Sequence, residues 1–114
     1  MSKDPNCLFC KIVAGEVPAE IVASNDDAVA FQDRNPQAPT HVLVIPREHG
    51  ANAAETAAQG RTDAIVALAD EVAQREGLEQ GYRLVVNTGA EAGQAVFHTH
   101  YHLIGGRHLG WPPG

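Results

Sequence analysis

The chain has 114 residues, a length that suits one domain around a single hydrophobic core. Its 44% hydrophobic and 19% charged residues are typical of an ordinary globular protein, and its net charge of -6 excludes the broad basic face that binds a nucleic-acid polymer. The longest run of Val, Leu and Ile residues, Val42 to Ile45, is far shorter than the ~20 residues that span a bilayer, so we expect no membrane association and a cytoplasmic location. A small nucleotide remains possible as a ligand, because a few local groups suffice to hold one phosphate.

The first half of the chain predicts short elements separated by turns. Residues 7–14 have helical or turn character and are followed by Gly15 and Pro18. Short runs of apolar and β-branched residues predict three strands, at 20–24, 28–33 and 41–45. The Ala-rich residues 50–61 give no clear prediction.

The second half contains the longest predicted helix, Thr62 to Glu76. Its apolar residues recur at helical spacing, Thr62 or Asp63 is the expected N-cap, and Gly77 is the expected stop. Two further strands are predicted at 82–87 and 96–104, joined by a glycine-bearing loop. The pattern therefore predicts an α+β fold, with a five-stranded and mainly antiparallel sheet, one long helix and a short N-terminal helix.

Three histidines alternate along the last predicted strand: His98, His100 and His102. Successive side chains in a strand point to opposite faces, so the three imidazoles are expected to share one face. One metal ion held by all three is disfavoured, because the first and third Cα atoms of a straight strand lie ~13 Å apart and Zn–N bonds are only ~2.1 Å long. We therefore expect one end of the triplet to bind metal and the other histidines to do chemistry.

Imidazole suits chemistry on a phosphoryl group. A neutral ring is a nucleophile near neutral pH, and a charged ring stabilises negative charge on phosphate. The loop before the triplet fits this interpretation, because Gly93 lets backbone N–H groups approach an anion and Asn87 can donate from its amide.

The only two cysteines form the pair Cys7-Leu8-Phe9-Cys10. In a reducing compartment this spacing suggests a metal-binding or redox pair before a structural disulfide. A thioredoxin-like pair and two unbridged thiols are the alternatives.

Four segments together form a recognisable set: the His-x-His-x-His motif followed by Leu103-Ile104, the segment Pro39 to His49, the segment Gly81 to Asn87, and the ending Gly105 to Gly114. With these segments the chain resembles the histidine-triad (HIT) family, in its Hint branch. The resemblance runs from about Cys7 to Gly114, so we expect residues 1–114 to form a single HIT domain.

The resemblance implies a hydrolase acting on purine nucleoside 5′-phosphoramidates and related aminoacyl nucleotides. His100 would attack phosphorus and form a covalent nucleotidyl-histidine intermediate, with His102 and His41 in supporting roles. The alternative is a catalytically weak nucleotide-binding regulatory module. That alternative arises because Ala95 stands where this branch often has a hydroxyl residue able to protonate the leaving nitrogen. A third hypothesis is a zinc-stabilised interaction protein with a structural triad.

The family's nucleotide-binding positions carry over to specific residues here. Asp33 matches the acid that binds the ribose hydroxyls, although a turn cap is the alternative, and Arg34 stands beside the base, where it would stack or be solvated. The phosphate positions, besides His100 and His102, are Asn87, Gly93, Gln94, Ala95 and Val96. The base-pocket positions, for which core packing is the alternative, are Leu8, Phe9, Ile12 and Phe31.

The resemblance also implies a structural zinc ion and a homodimer. Some family members complete the cysteine pair with two histidines, which gives the ligand set Cys7, Cys10, His49 and His98. The family pairs two subunits through the long helix and the strand before the triad, and Trp111 lies in a tail that would reach toward the partner's site.

Overall fold

The computed structural model describes residues 4–114 and contains one five-stranded antiparallel sheet. The strand order is β1-β2-β3-β5-β4, so β3 is the central strand and β5 lies between β3 and the edge strand β4. The strands are β1 (Ile21–Ser24), β2 (Ala28–Gln32), β3 (Thr40–Pro46), β4 (Tyr82–Val86) and β5 (Tyr101–Gly105). The helices are α1 (Leu8–Val13), α2 (Ala53–Ala58) and α3 (Thr62–Arg75). The predicted α+β fold is confirmed.

The two faces of the sheet carry two separate apolar clusters. Even-numbered residues of β2 and β3, such as Ala30 and Val44, pack against the buried stripe of α3. Odd-numbered residues, such as Phe31 and Leu43, pack on the opposite face with α1. The alternation follows from the two-residue period of a strand, and it places the side chain of His102 on the α1 face because His102 pairs with Leu43.

The last strand is shorter than predicted. It begins at Tyr101, so the prediction of a strand from Val96 is wrong for residues 96–100. The Thr99 backbone N–H donates to the carbonyl of Gly50 at 2.8 Å, and the Thr99 hydroxyl accepts from Thr56 at 2.7 Å. These contacts join the segment to the region around α2 instead of to the sheet ladder.

Two predictions about helices also need revision. The N-cap of α3 is Arg61 without a side-chain cap, and Asp63 accepts from the N–H of Ala64 instead, so the predicted cap is wrong. The predicted stop is confirmed, because Gly77 has a φ of 74° beyond the end of α3. The Ala-rich segment contains α2. Its N-cap is Asn52, whose side chain accepts a hydrogen bond from the N–H of Glu55. None of the helices within residues 4–114 has the length and apolar character needed to cross a membrane.

Candidate active site

The first side-chain cluster joins the N-terminus of α1 to the segment after β3 and the segment before β5. Cys7 is the N-cap of α1 and Cys10 lies in its first turn, while His49 follows β3 and His98 precedes β5. The Nδ1 atom of His98 lies 3.3 Å from Cys7 Sγ, 3.5 Å from Cys10 Sγ and 3.2 Å from His49 Nδ1. All four ligand atoms lie within 4.8 Å of one another.

The protonation of this cluster suits metal binding. The Nε2–H of His98 donates to the carbonyl of Pro46 at 2.8 Å, which leaves the Nδ1 lone pair facing the cysteines. Burial lowers the pKa of His98 to about 4, so the ring is neutral at pH 7 as a ligand must be. Burial raises the pKa of the Cys7 thiol, so a thiolate there needs a neighbouring cation.

The spacing of the cluster also suits a tetrahedral ion. Bonds of ~2.1–2.3 Å from a tetrahedral centre place the ligand atoms ~3.4–3.8 Å apart. Cys10 Sγ lies 3.5 Å from both His49 Nδ1 and His98 Nδ1, which is within that range. The residues therefore fit a metal ion of the size and preferences of zinc.

The second cluster contains Asp33, His41 and His102, and its hydrogen bonds order its protons. The backbone N–H of Gln37 donates to His41 Nδ1 at 3.0 Å, so His41 carries its proton on Nε2. That Nε2–H donates to His102 Nδ1 at 2.9 Å, with Asp33 Oδ2 also near it at 3.4 Å. His102 must then carry its own proton on Nε2. We call this chain of hydrogen bonds, from Gln37 through His41 to His102, the relay. The proton on His41 Nε2 occupies the position that a metal ion would need.

His102 stays neutral within this relay. Burial lowers the pKa of His102 to about 4, and the positive charge that His100 and His41 can carry acts in the same direction. The ring is therefore neutral at pH 7, and its tautomer decides which atom it presents to a ligand.

His100 lies between the two clusters, and one of its ring nitrogens is hydrogen-bonded to the backbone. Its Nδ1–H donates to the backbone carbonyl of His98 at 2.9 Å, so the Nε2 atom keeps its lone pair. The edge of Phe9 packs against the ring with centroids 5.1 Å apart, and the His102 ring lies 5.2 Å away. The backbone carbonyl of His98, a residue of the first cluster, thus fixes the tautomer of the His100 ring.

A groove of about 790 Å³ lies on the same face of the sheet. Its walls include seven of the residues predicted for nucleotide binding: Leu8, Phe9, Ile12, Phe31, Asp33, Arg34 and Val96. Gln32, which the family resemblance places beside the base with Arg34, also lines the groove. The rest of the lining was not predicted and comprises Val17, Pro18, Ala19, Glu20 and Leu43. The groove is therefore suited to a flat, mostly apolar ring with a polar end.

Asp33, the residue predicted to bind the ribose hydroxyls, makes two contacts within the protein. Asp33 Oδ1 accepts from the N–H of Asn35 at 2.8 Å, so Asp33 does have the turn-cap contact that the sequence analysis gave as its alternative role. Its Oδ2 atom faces His41, so the carboxylate is shared between the loop and the relay.

The predicted phosphate loop is held in place by hydrogen bonds of one of its side chains, that of Gln94. Gln94 is 4% exposed, accepts from the N–H of Gly89, and donates to the carbonyls of Ala51 and Val96 at 2.7 and 3.1 Å. Gly93 has a φ of 95°, and a Cβ there would lie 3.9 Å from the Asn87 amide nitrogen. Asn87 and Gly93 therefore lie close together, as predicted for a phosphate site, and Ala95 is exposed. The amide of Gln94 is already hydrogen-bonded to backbone groups.

Sequence reasoning missed the residues that act through their backbone or across long distances. Gln37 orders the proton of His41 through its N–H, and no side-chain pattern marks that role. Thr56 and Thr99 hold the segment before β5 through buried hydroxyl groups, and no pattern in the sequence around either residue marks that position.

Comparison with known proteins shows what this chain is similar to. The HIT domain family matches residues 14–109. The chain is 43% identical to the 14 kDa zinc-binding protein of Zea mays, over 97% of this chain and 90% of the relative. It is 41% identical to Adenylylsulfatase HINT1 of Arabidopsis thaliana, over 97% and 78% of the two chains. A HIT family hydrolase from Legionella pneumophila Philadelphia 1 superposes with a TM-score of 0.90 at 48% identity, over 96% of this chain and 100% of the other.

Proposed function

The chain belongs to the HIT domain family, in its Hint-like branch, and we propose that it hydrolyses purine nucleoside 5′-phosphoramidates and related aminoacyl nucleotides. We propose further that residues 1–114 act as a single HIT domain. The observation that carries the proposal is the His100 hydrogen bond to the His98 carbonyl, because it leaves Nε2 with a lone pair on a ring that packs against Phe9 of the groove wall. The relatives named as a hydrolase and an adenylylsulfatase support the same reaction class.

The reaction proceeds in two balanced steps. His100 Nε2 attacks the α-phosphorus, a P–N bond to the ring forms, and the bond to the amine leaving group breaks as that amine takes a proton. Ala95 has no side-chain donor, so in this proposal the proton comes from solvent. Water then attacks the phosphorus of the nucleotidyl-histidine, the P–Nε2 bond breaks, and one proton of the water passes to solvent. The nucleoside monophosphate leaves with neutral His100 restored.

The relay acts on the phosphoryl oxygens. His102 carries its proton on Nε2 because its Nδ1 accepts from His41, so Nε2–H is available to a phosphoryl oxygen. The loop supplies further donors from the Asn87 amide and the backbone N–H groups of Ala95 and Val96. These donors stabilise the charge that develops on phosphorus as the leaving group departs.

The groove holds the nucleoside. Leu8, Phe9, Ile12 and Phe31 enclose the base, and Asp33 binds the ribose hydroxyls through Oδ2. Arg34 is exposed at the rim and donates to the Pro18 carbonyl at 3.4 Å, so its aliphatic stem and charge lie beside the base.

We propose zinc as the metal of the first cluster, held by Cys7, Cys10, His49 and His98. The relative from Zea mays that is named as zinc-binding supports this choice. The ion supplies a structural link between the N-terminal segment and the central strands. Metal analysis of protein purified without chelator should give about one zinc per chain, and Cys10→Ser should lower it. Less than about half an equivalent in the parent protein would contradict the site.

We also propose the homodimer that the family resemblance implies. Strand β4 is an edge strand with β5 as its one neighbour in the described sheet, and Trp111 is 82% exposed. Light scattering after size exclusion should give twice the chain mass, whereas a monomer at micromolar concentration would reject this proposal. The cytoplasmic location stays a prediction from the sequence.

The function is tested by product release. Adenosine and guanosine 5′-phosphoramidates are incubated with the parent protein, with His100→Asn, and with the control variant His108→Asn, which changes an exposed histidine outside the groove. We expect nucleoside monophosphate release by the parent and the control, and a loss of at least about 10³-fold in His100→Asn. Equal release by all three would refute the nucleophile. Tight nucleotide binding without release would favour the regulatory module, for which Ala95 is the supporting observation, and no binding would favour an interaction protein.

A further inference from the structure

Helix α1 lies between the metal cluster and the groove and contributes residues to both. Cys7 and Cys10 reach the metal cluster, while Leu8, Phe9 and Ile12 line the groove. The helix has six residues, far fewer than the ~12–15 that an isolated helix needs to be even marginally stable. Its position therefore depends on what it packs against and on what its cysteines bind.

The cysteines are the polar connection of α1 to the sheet. Within residues 4–114, the side-chain hydrogen bonds that join segment 7–13 to the rest of the chain run from Cys7 and Cys10 to His98 and His49. The remaining attachment is apolar, chiefly through Phe9, whose ring packs edge-on against Phe31 at 5.7 Å. A metal ion at the cluster would replace weak thiol contacts with bonds and would fix the helix against the groove.

His98 provides a second connection between the cluster and the groove. Its ring contributes Nδ1 to the cluster, and its backbone carbonyl accepts the Nδ1–H of His100. Phe9 contacts both rings, at 5.9 Å from His98 and 5.1 Å from His100. Any shift of His98 on metal loss therefore changes the hydrogen bond and the packing that hold His100.

We infer that the metal cluster and the nucleotide groove are thermodynamically coupled through α1 and His98, so that metal raises nucleotide affinity and nucleotide raises metal affinity. This inference rests on the proposed nucleotide function. Linkage requires both effects to have the same factor, and couplings of this kind are typically about 5- to 150-fold. We expect a factor of at least about fivefold here, because the groove wall and the nucleophile both contact the cluster.

The test measures both sides of the coupling on the full chain. AMP binding is titrated calorimetrically with zinc-loaded and chelator-treated protein, and zinc affinity is measured by chelator competition with and without saturating AMP. The coupling predicts that AMP binds at least about fivefold more tightly to the zinc form and that the zinc affinity rises by the same factor. The control variant Lys11→Ala changes α1 outside the groove and the cluster, and it should keep both factors.

The outcomes separate the coupling from the proposed function. Equal AMP affinities of the zinc-loaded and metal-free forms, with far-UV circular dichroism showing both folded, would overturn the coupling and leave the function intact. No AMP binding by either form would overturn both.

If the chelated protein unfolds, the coupling is tested instead on cobalt-loaded protein, from which no metal is removed. Addition of AMP should then change the thiolate-to-cobalt and d–d absorption bands with the same concentration dependence as binding. Unchanged bands at saturating AMP would overturn the coupling.

Discussion

The relay can be tested by replacing His41 with two residues that each keep one of its hydrogen bonds. The amide nitrogen of glutamine lies near the position of imidazole Nε2, so His41→Gln can still donate to His102. The amide oxygen of asparagine lies near the position of Nδ1, so His41→Asn can still accept from Gln37 but cannot reach His102. Each variant loses one of the two contacts, which measure 3.0 Å to Gln37 and 2.9 Å to His102 in the parent.

The two losses differ in cost because their surroundings differ. Gln37 is exposed, so its N–H can bond to water and His41→Gln should lose only about 0.5–1 kcal/mol of unfolding free energy. His102 is partly buried, so leaving its Nδ1 unpaired in His41→Asn should cost about 1–2 kcal/mol. A hydrogen bond of about 1.4 kcal/mol biases the His102 tautomer about tenfold, and its loss also frees the ring to rotate. We therefore expect kcat to fall about 10- to 100-fold in His41→Asn and by less than about tenfold in His41→Gln.

The assay follows AMP release from adenosine 5′-phosphoramidate by chromatography, with thermal unfolding of each variant as the control for folding. The measurement is made at pH 7, where the depressed pKa of His102, about 4, keeps its ring neutral in the parent protein. An equal loss of kcat in the two variants, or better activity in His41→Asn, would refute the relay and leave His41 as a packing residue.

Three further predictions concern stability. Thr99→Val leaves the buried hydroxyl of Thr56 without its 2.7 Å partner and should lower the free energy of unfolding by about 1–3 kcal/mol in urea titrations, with part regained in the double valine variant. Gly106→Ala should cost about 1–3 kcal/mol by the same assay, because Gly106 has a φ of 91° and a Cβ there would lie 2.9 Å from Pro39 Cβ; no measurable loss would show that the turn adapts. The pKa of His102 lies near 4 in the fold and near ~6.5 when unfolded, so the unfolded chain binds more protons between these values. Stability should therefore fall as the pH is lowered from 6.5 toward 4, and His102→Gln should flatten that slope; an unchanged slope would contradict the assignment.

The fold could be predicted closely where turn residues mark the ends of the strands. Four of the five strands begin and end within one residue of the predicted positions, because Asn, Asp, Gly and Pro residues flank each apolar run. The N-cap of α3 could not be predicted from its sequence. Thr62 and Asp63 both have suitable side chains, but the chain already turns at Arg61, which pairs with Asp27 and Glu48.

The site could be predicted only as far as its side chains form patterns. The cysteine pair and the alternating histidines indicate metal and phosphoryl chemistry by spacing alone, whereas His41, His49 and the groove residues came from the family resemblance. Residues 17–20 line the groove although nothing in their local sequence distinguishes them from a connecting loop. Gln94 matched a phosphate-binding position, yet its amide is bonded to backbone groups that only the folded chain brings near it.

The error in the last strand has a chemical consequence for the site. In a regular strand the carbonyl of His98 would be available to a ladder partner, and an imidazole two residues later would compete for it. Because β5 begins at Tyr101, that carbonyl lies outside the ladder and accepts the Nδ1–H of His100. The buried threonine pair that holds residues 98–100 away from the ladder therefore also sets which nitrogen of His100 keeps its lone pair. The departure from a local strand preference occurs at the residue proposed to react, which is where a fold is expected to break its own local rules.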